Sequence, residues 1–86
     1  MRHANDADLD RLEPLLGRVR DIDGLKEPRR GNFVHRSRAF LHFHGDGDRL
    51  YADVRLDGVE FARRDVTESA EQAALVADIR ACIGRA

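Results

Sequence analysis

The chain has 86 residues, a formal net charge of −1 at pH 7, a hydrophobic fraction of 42% and a charged fraction of 36%. This composition is too apolar for a disordered chain and the length is too short for two cores, so we expect one domain over residues 1–86. The near-neutral charge argues against nucleic-acid binding over the whole surface. Cys82 has no disulfide partner, and no apolar stretch suits a secretory signal or a membrane span, so we expect a cytoplasmic protein of bacterial type without a membrane partner.

A first helix is predicted from about Asp8 to Asp23, with Gly24 as its left-handed cap. Its apolar positions recur at three- and four-residue steps and are Leu9, Leu12, Leu15, Leu16, Val19 and Ile22. Because an interior proline removes an amide hydrogen bond, Pro14 predicts either a start near Arg11 or a kink. The next segment, residues 25–31, has no periodicity and contains a proline, and it is predicted to be a loop.

Four antiparallel strands are predicted next, joined by turns at Ser37-Arg38, Asp46-Gly47 and Asp57-Gly58. Asp-Gly is a preferred pair for two-residue hairpin turns. A turn centred on Asp46-Gly47 places Phe43 opposite Leu50 and His42 opposite Tyr51, which keeps one face apolar.

A turn centred on Asp57-Gly58 would likewise place Val54 opposite Phe61 and Tyr51 opposite Arg64. The apolar face then contains Leu41, Phe43, Leu50, Val54 and Phe61.

A second helix is predicted from about Thr67 to Ile83, with Leu75, Val76, Ile79, Cys82 and Ile83 as its apolar stripe. The element order is α-β-β-β-β-α. Two amphipathic helices and one apolar sheet face predict an α+β two-layer sandwich, in which a four-stranded meander carries both helices on the same face.

The opposite sheet face is predicted to be open and to carry aromatic, imidazole and charged side chains. The ligand-binding candidates on this face are Phe40, His42, His44, Tyr51, Asp53 and Arg55. Glu60, Ala62 and Arg64 are expected beside them, and Phe33 and His35 join them if Ser37-Arg38 is a true two-residue turn. Such a face could stack a planar ligand, and the alternative is an ordinary solvated sheet surface.

A metal site is the sharpest hypothesis for this face. His42 and His44 lie two residues apart on one strand, so both rings project from the same face, with His35 and Asp53 expected on diagonals. Two histidines and a carboxylate could bind Zn²⁺ or Fe²⁺. The pattern His42-x-His44-x-x-x-Asp48 is similar to the first metal motif of cupin barrels, although no second motif follows it.

A local basic segment supports nucleic-acid binding as a second hypothesis. Between residues 24 and 45 the basic side chains are Lys26, Arg29, Arg30, Arg36 and Arg38, and the only acidic one is Glu27. These cations could contact phosphates, with Phe40 and Tyr51 available for stacking.

No catalytic residue and no cofactor are predicted. The chain lacks a nucleophile elbow, a phosphate-binding loop and a dinucleotide fingerprint. Cys82 lies on an apolar helix stripe, which is typical of a buried structural thiol.

Two family resemblances add expectations. The element order is similar to the frataxin-like fold, and residues 22–27 (IDGLKE) and 33–41 (FVHRSRAFL) resemble the loop and first hairpin of MmcQ/YjbR-like bacterial proteins, which implies DNA binding. The longer aromatic C-terminal part usual in those proteins is absent here. Residues 41–46 (LHFHGD), followed by Ala52-Asp53, also resemble a short motif of bacterial luciferase-domain proteins.

Taken together, the sequence predicts a small non-enzymatic binding module that acts through the open sheet face or the basic segment. A homodimer is a further expectation, because open sheet edges and exposed aromatic side chains favour self-association. The sequence identifies no other partner.

Overall fold

Two helices cover one face of an antiparallel sheet in the computed structural model, which describes residues 1–84. The strands are β1 (Arg2–His3), β2 (Leu25–Arg29), β3 (Asn32–His35), β4 (Arg38–Asp46), β5 (Arg49–Val54) and β6 (Ala62–Asp65), and the helices are α1 (Asp6–Arg20) and α2 (Ser69–Gly84). The strand order is β2-β3-β4-β5-β6, and β1 pairs with the end of β4 that β3 leaves free. The predicted α+β two-layer class is confirmed, with two strands more than predicted.

α1 begins at Asp6 because the residue before it caps the free amides. The Asn5 side chain accepts a hydrogen bond from the Asp8 N–H at 2.9 Å, and Asp8 Oδ2 accepts one from the Asn5 N–H at 3.0 Å. Pro14 lies inside the helix, so the alternative start near Arg11 is wrong, and α1 begins two residues before the predicted Asp8 and ends three before the predicted Asp23. The Arg2 guanidinium donates to Asp8 Oδ1 at 2.7 Å and so fastens β1 to the start of α1.

The core lies between the helices and the apolar face of the sheet. Its helix residues include Leu9, Leu12, Leu15, Leu16, Val19, Leu75, Val76 and Ile79, and its sheet residues include Phe33, Leu41, Phe43, Leu50, Ala52 and Val54. One cluster contains the apolar stripes of both helices, which confirms that they share one sheet face. Among residues 1–84 no helix has the length and apolar character needed to cross a membrane.

The segment predicted to be a loop is the edge strand β2. It pairs with β3 through Lys26 opposite Val34 and Arg29 opposite Asn32, and the register shifts between these pairs. Pro28 lies at this irregularity, where its missing N–H costs no regular ladder bond.

The turn between β3 and β4 contains Arg36 and Ser37, whose φ angles are +53° and +68°, so the predicted turn at Ser37-Arg38 is wrong by one residue. Positive φ at both central positions is the pattern of a type I′ turn. Neither residue is glycine or asparagine, so both bear the steric cost of the left-handed region.

β4 then contains one extra residue, which reverses the predicted sides of the side chains of β3. Val34 pairs with Ala39 but Phe33 pairs with Leu41, so Phe40 is the extra residue of a β-bulge. Phe40 is only 4% exposed and belongs to the core, which corrects its assignment to the open face. Phe33 is buried, and His35 shares its side of β3, so neither joins the open face.

The hairpin between β4 and β5 turns at Gly47-Asp48 rather than Asp46-Gly47. Asp46 pairs with Arg49, which places His42 opposite Asp53 instead of Tyr51. Gly47 has φ +59°, and a positive φ at the first central residue alone is typical of a type II′ turn. When a turn moves by one residue, each residue pairs with a partner two positions further along the strand, and that partner faces the same side. The predicted faces of β4 and β5 are therefore correct.

The predicted turn at Asp57-Gly58 is replaced by a longer loop over residues 55–61. Asp57 Oδ1 accepts hydrogen bonds from the Val59 and Glu60 N–H groups at 2.7 and 2.9 Å. Asp53 pairs with Arg63, an odd shift from the predicted register that exchanges the faces of β6.

Four assignments made from that predicted turn are therefore wrong. Phe61 is 37% exposed instead of lying in the core, and Glu60 lies in the loop. Ala62 and Arg64 lie on the helix side of β6, where the Arg64 guanidinium donates to Asp78 of α2 at 2.9 Å.

We expect the double substitution Arg36→Asn and Ser37→Gly to raise the free energy of unfolding by about 1–2 kcal/mol, because Asn-Gly is preferred where both φ angles are positive. Urea denaturation measures the change. The matched control, Arg36→Gln with Ser37→Ala, replaces the same side chains by residues that are no better suited to positive φ, so it should not raise the free energy of unfolding. Equal gains in both variants would contradict a conformational origin.

Asp65, at the end of β6, predicts a pH-dependent contribution to stability. Hydrogen bonds from the Thr67 side chain and backbone, with Arg49 beside them, lower the pKa of Asp65 from 3.8 to about 2. The folded-state pKa lies below the unfolded one, so this contribution is complete above about pH 4 and is lost as the pH falls towards 2. The stability difference between wild type and Asp65→Asn, from urea melts, should therefore shrink between pH 6 and pH 2. A difference that stays constant with pH would contradict it.

Candidate functional site

The buried carboxylate of Asp53 is the centre of the open sheet face. The residue is 8% exposed, and it lies on β5 directly opposite His42 of β4 and Arg63 of β6. Arg63 holds it with a two-pronged contact, in which Nε donates to Oδ1 and Nη2 donates to Oδ2, both at 2.8 Å. This geometry fixes the orientation of the carboxylate.

Two imidazole rings approach the same oxygen of that carboxylate. His44 Nε2 lies 3.0 Å and His42 Nε2 lies 3.3 Å from Asp53 Oδ2. One nitrogen from each ring and one carboxylate oxygen all lie within 4.8 Å of one another. These three residues are called the His-His-Asp cluster below.

Burial and neighbouring charges shift the pKa values of Asp53 and His42. The hydrogen bonds from Arg63 are the main cause of a lowered pKa for Asp53, so this carboxylate is ionised at neutral pH. Burial is the main cause of a lowered pKa for His42, and it outweighs the attraction of Asp53. His42 is therefore neutral at pH 7, and a neutral imidazole has a nitrogen lone pair to offer.

Further rings surround the His-His-Asp cluster. The His3 ring lies 4.8 Å from the His44 ring, and the Phe61 ring lies 4.9 Å from the His42 ring, centroid to centroid. The Arg55 guanidinium lies 4.4 Å above the Phe61 ring centroid, within cation–π range. The cluster thus has one polar flank at His3 and one aromatic flank at Phe61.

The structure brings most of the predicted ligand-binding candidates together on this face. His42, His44 and Asp53 form the cluster, Tyr51 lies opposite His44, and Arg55 lies over Phe61. Phe40 is buried in the core instead. His35 lies on the helix side of β3 with its ring 5.9 Å from that of Phe40, so its assignment to the metal site is wrong.

Three residues of the site were not found from the sequence. His3 belongs to a two-residue strand, which is too short to show any alternation. The predicted register places Phe61 on the apolar face and gives Arg63 no role, because it lacks the change that the loop over residues 55–61 makes in the register of β6. The one available signal is the length of the segment between Val54 and Ala62, which contains more residues than a tight turn needs.

The five basic candidates do not form one patch. Arg29 and Arg30 lie at the turn between β2 and β3, whereas Arg36 and Arg38 lie at the turn between β3 and β4, at the other end of β3. The remaining one, Lys26, is exposed on the edge strand β2. Arg30 donates to Asp10 at 3.0 Å and to Glu13 at 2.9 Å, which neutralises part of its charge. Nucleic-acid binding by this segment stays a prediction.

Removal of the Arg63 guanidinium tests how strongly the buried carboxylate depends on it. We expect Arg63→Ala to lower the free energy of unfolding by about 1–3 kcal/mol, because Asp53 loses its charge-assisted hydrogen bonds while it stays buried. Arg64→Ala on the same strand is the matched control. It breaks the pair with Asp78, whose side chain is 53% exposed, and should cost less than about 1 kcal/mol. Equal losses in urea denaturation would contradict a special role for Arg63.

Known proteins supply no further assignment for this site. Comparison of the chain with family models, with curated proteins and with solved structures finds no match. The resemblances to MmcQ/YjbR-like proteins and to luciferase-domain proteins therefore stay predictions, as does the homodimer.

Proposed function

We propose that this protein is a non-enzymatic binding module whose open sheet face binds a divalent transition-metal ion through the His-His-Asp cluster. The observation that carries the proposal is the convergence of two Nε2 atoms on one carboxylate oxygen at 3.0 and 3.3 Å. Two imidazoles and one carboxylate form a donor set suited to Zn²⁺ or Fe²⁺.

Two of the three spacings between the donor atoms fit one shared ion. Zinc lies about 2.0–2.2 Å from nitrogen and oxygen ligands, so two ligand atoms at a tetrahedral angle are about 3.4 Å apart. The two nitrogen–oxygen distances in the cluster are close to this value, and the two ring nitrogens lie within 4.8 Å of one another, so the rings would rotate to bring both nitrogens onto one ion. The ligands come from adjacent strands, which hold their backbones rigidly.

Arg63 supports this proposal as a positioning residue. Ligating carboxylates in metal sites are themselves hydrogen-bonded by neighbouring groups, which orient them. The two hydrogen bonds from Arg63 hold Asp53 so that Oδ2 faces both rings. An ion would need the Nε2 lone pair of each ring, which places the ring hydrogen on Nδ1.

Three protein ligands leave a coordination position open at the protein surface. His44 is 12% exposed and His42 is 28% exposed at the side chain, so the cluster is reachable from solvent. The His3 ring lies beside this opening. Water, a small anion or His3 itself would complete a four-coordinate site.

Calorimetric titration with Zn²⁺ tests the proposal, together with thermal unfolding. We expect one ion to bind per chain and to raise the free energy of unfolding by about 2.7 kcal/mol at a free concentration one hundred times the Kd. His42→Ala and His44→Ala should each abolish the stabilisation.

The matched control is His35→Ala, which removes an imidazole on the other side of the sheet and should leave Zn²⁺ binding unchanged. Circular dichroism of each variant shows whether it is folded. No heat of binding to the folded wild type would refute the proposal, and so would an equal loss in His35→Ala.

A further inference from the structure

A second concave site lies at the end of the sheet, between the β3–β4 turn and the loop over residues 55–61. It is a cavity of about 300 Å³, a volume at the lower end of the range for small-molecule pockets. Phe40, Leu56 and Cys82 line its apolar part. The His-His-Asp cluster is not among its lining residues, and this inference does not depend on the proposed function.

The polar part of this cavity is strongly basic. Arg36, Arg38 and Arg55 line it together with His35, and the one acidic side chain in its lining is Asp57. The Asp57 carboxylate already accepts two backbone N–H groups of its own loop. Within residues 1–84 none of these three arginines forms an ion pair, whereas Arg20, Arg30, Arg49, Arg63 and Arg64 all do.

Arg55 carries a buried donor that lacks an acceptor. In the part of the chain that the structure describes, Arg55 Nε is the only buried side-chain nitrogen or oxygen without a hydrogen-bond partner. A buried unsatisfied N–H is costly, and it is more so on a charged group. The guanidinium is held over the Phe61 ring, so it cannot simply turn away without losing that contact.

The two walls of the cavity are fixed relative to one another. Arg38 Nη1 donates to the Gly58 carbonyl at 3.2 Å, and the Arg55 N–H donates to the Phe40 carbonyl at 2.9 Å. Arg36 sits at the rim in the left-handed conformation described above. Such strained positions occur often at ligand-binding clamps, where the surrounding structure maintains them.

We propose that this cavity binds an oxyanion, a phosphate or carboxylate group attached to a small apolar body, between Arg36, Arg38 and Arg55. Guanidinium groups bind both anions with paired N–H donors, and in residues 1–84 these three arginines are not ion-paired with a carboxylate. The ligand's apolar body lies against Phe40, Leu56 and Cys82.

Phenyl phosphate and benzoate are the two probes, with phenol as the uncharged reference, each followed in ¹H–¹⁵N NMR titrations of the full chain. We expect saturable shifts of the amides of residues 36–40 and 55–58 with at least one anion and none with phenol. Tighter binding of phenyl phosphate assigns the site to phosphates, and tighter binding of benzoate assigns it to carboxylates.

Variants that each remove one positive charge test whether the arginines of this cavity bind the anion. Arg36→Gln and Arg38→Gln change exposed residues and should each weaken anion binding at least fivefold, and Arg55→Gln should weaken it at least tenfold. Arg29→Gln, an exposed arginine at the other end of β3, should leave the affinity unchanged. Equal weakening in Arg29→Gln, or the absence of saturable shifts with both anions, would overturn the proposal.

Discussion

The pairing of β4 with β5 is the constraint on which both layers of this protein depend. Side chains alternate between the faces of a strand, so burying Leu41 and Phe43 under the helices leaves His42 and His44 no choice but the open face. The hydrophobic free energy of the core therefore also fixes the polar cluster. A polar cluster built this way needs no separate stabilisation of its backbone, since any slip of the strands would expose the core.

The charged groups at the centre and at the end of the open face differ in how they are partnered. Asp53 at the centre has a guanidinium partner, whereas Arg55 at the end has a donor without an acceptor. At the centre, the Asp53 carboxylate accepts two hydrogen bonds from Arg63 and lies 3.0 and 3.3 Å from the Nε2 atoms of two imidazoles. At the end, Arg55 stacks on an aromatic ring and one of its donors has no acceptor. Phe61 contacts both His42 and Arg55, so a single exposed ring lies between the His-His-Asp cluster and the Arg55 guanidinium.

Whether a register shift is by an even or an odd number of residues explains which features could be predicted from the sequence. The faces of β4 and β5 were predictable because their alternation is long, and because a turn misplaced by one residue shifts partners by two. The bulge at Phe40 and the loop over residues 55–61 each shift the register by one residue, which exchanges faces, moves His35 and Phe61 away from their predicted sides and brings Arg63 to the open face. Neither feature has a reliable local signal. His42, His44 and Asp53 were found because they lie on the two regular strands.

Gly45 shows how closely the two faces of the sheet are coupled. It lies under the Arg2–Asp8 ion pair, and a methyl group at its Cα would come within 2.9 Å of both Arg2 Nη2 and Asp8 Oδ2. Arg2 and His3 are consecutive residues of β1, so they project to opposite faces of the sheet. A side chain at position 45 would therefore push the Arg2 guanidinium away from Asp8 and weaken the ion pair that fastens β1 to α1. The lack of a Cβ at Gly45 on the covered face thus preserves the ion pair that holds β1, the strand that places His3 beside His44 on the open face.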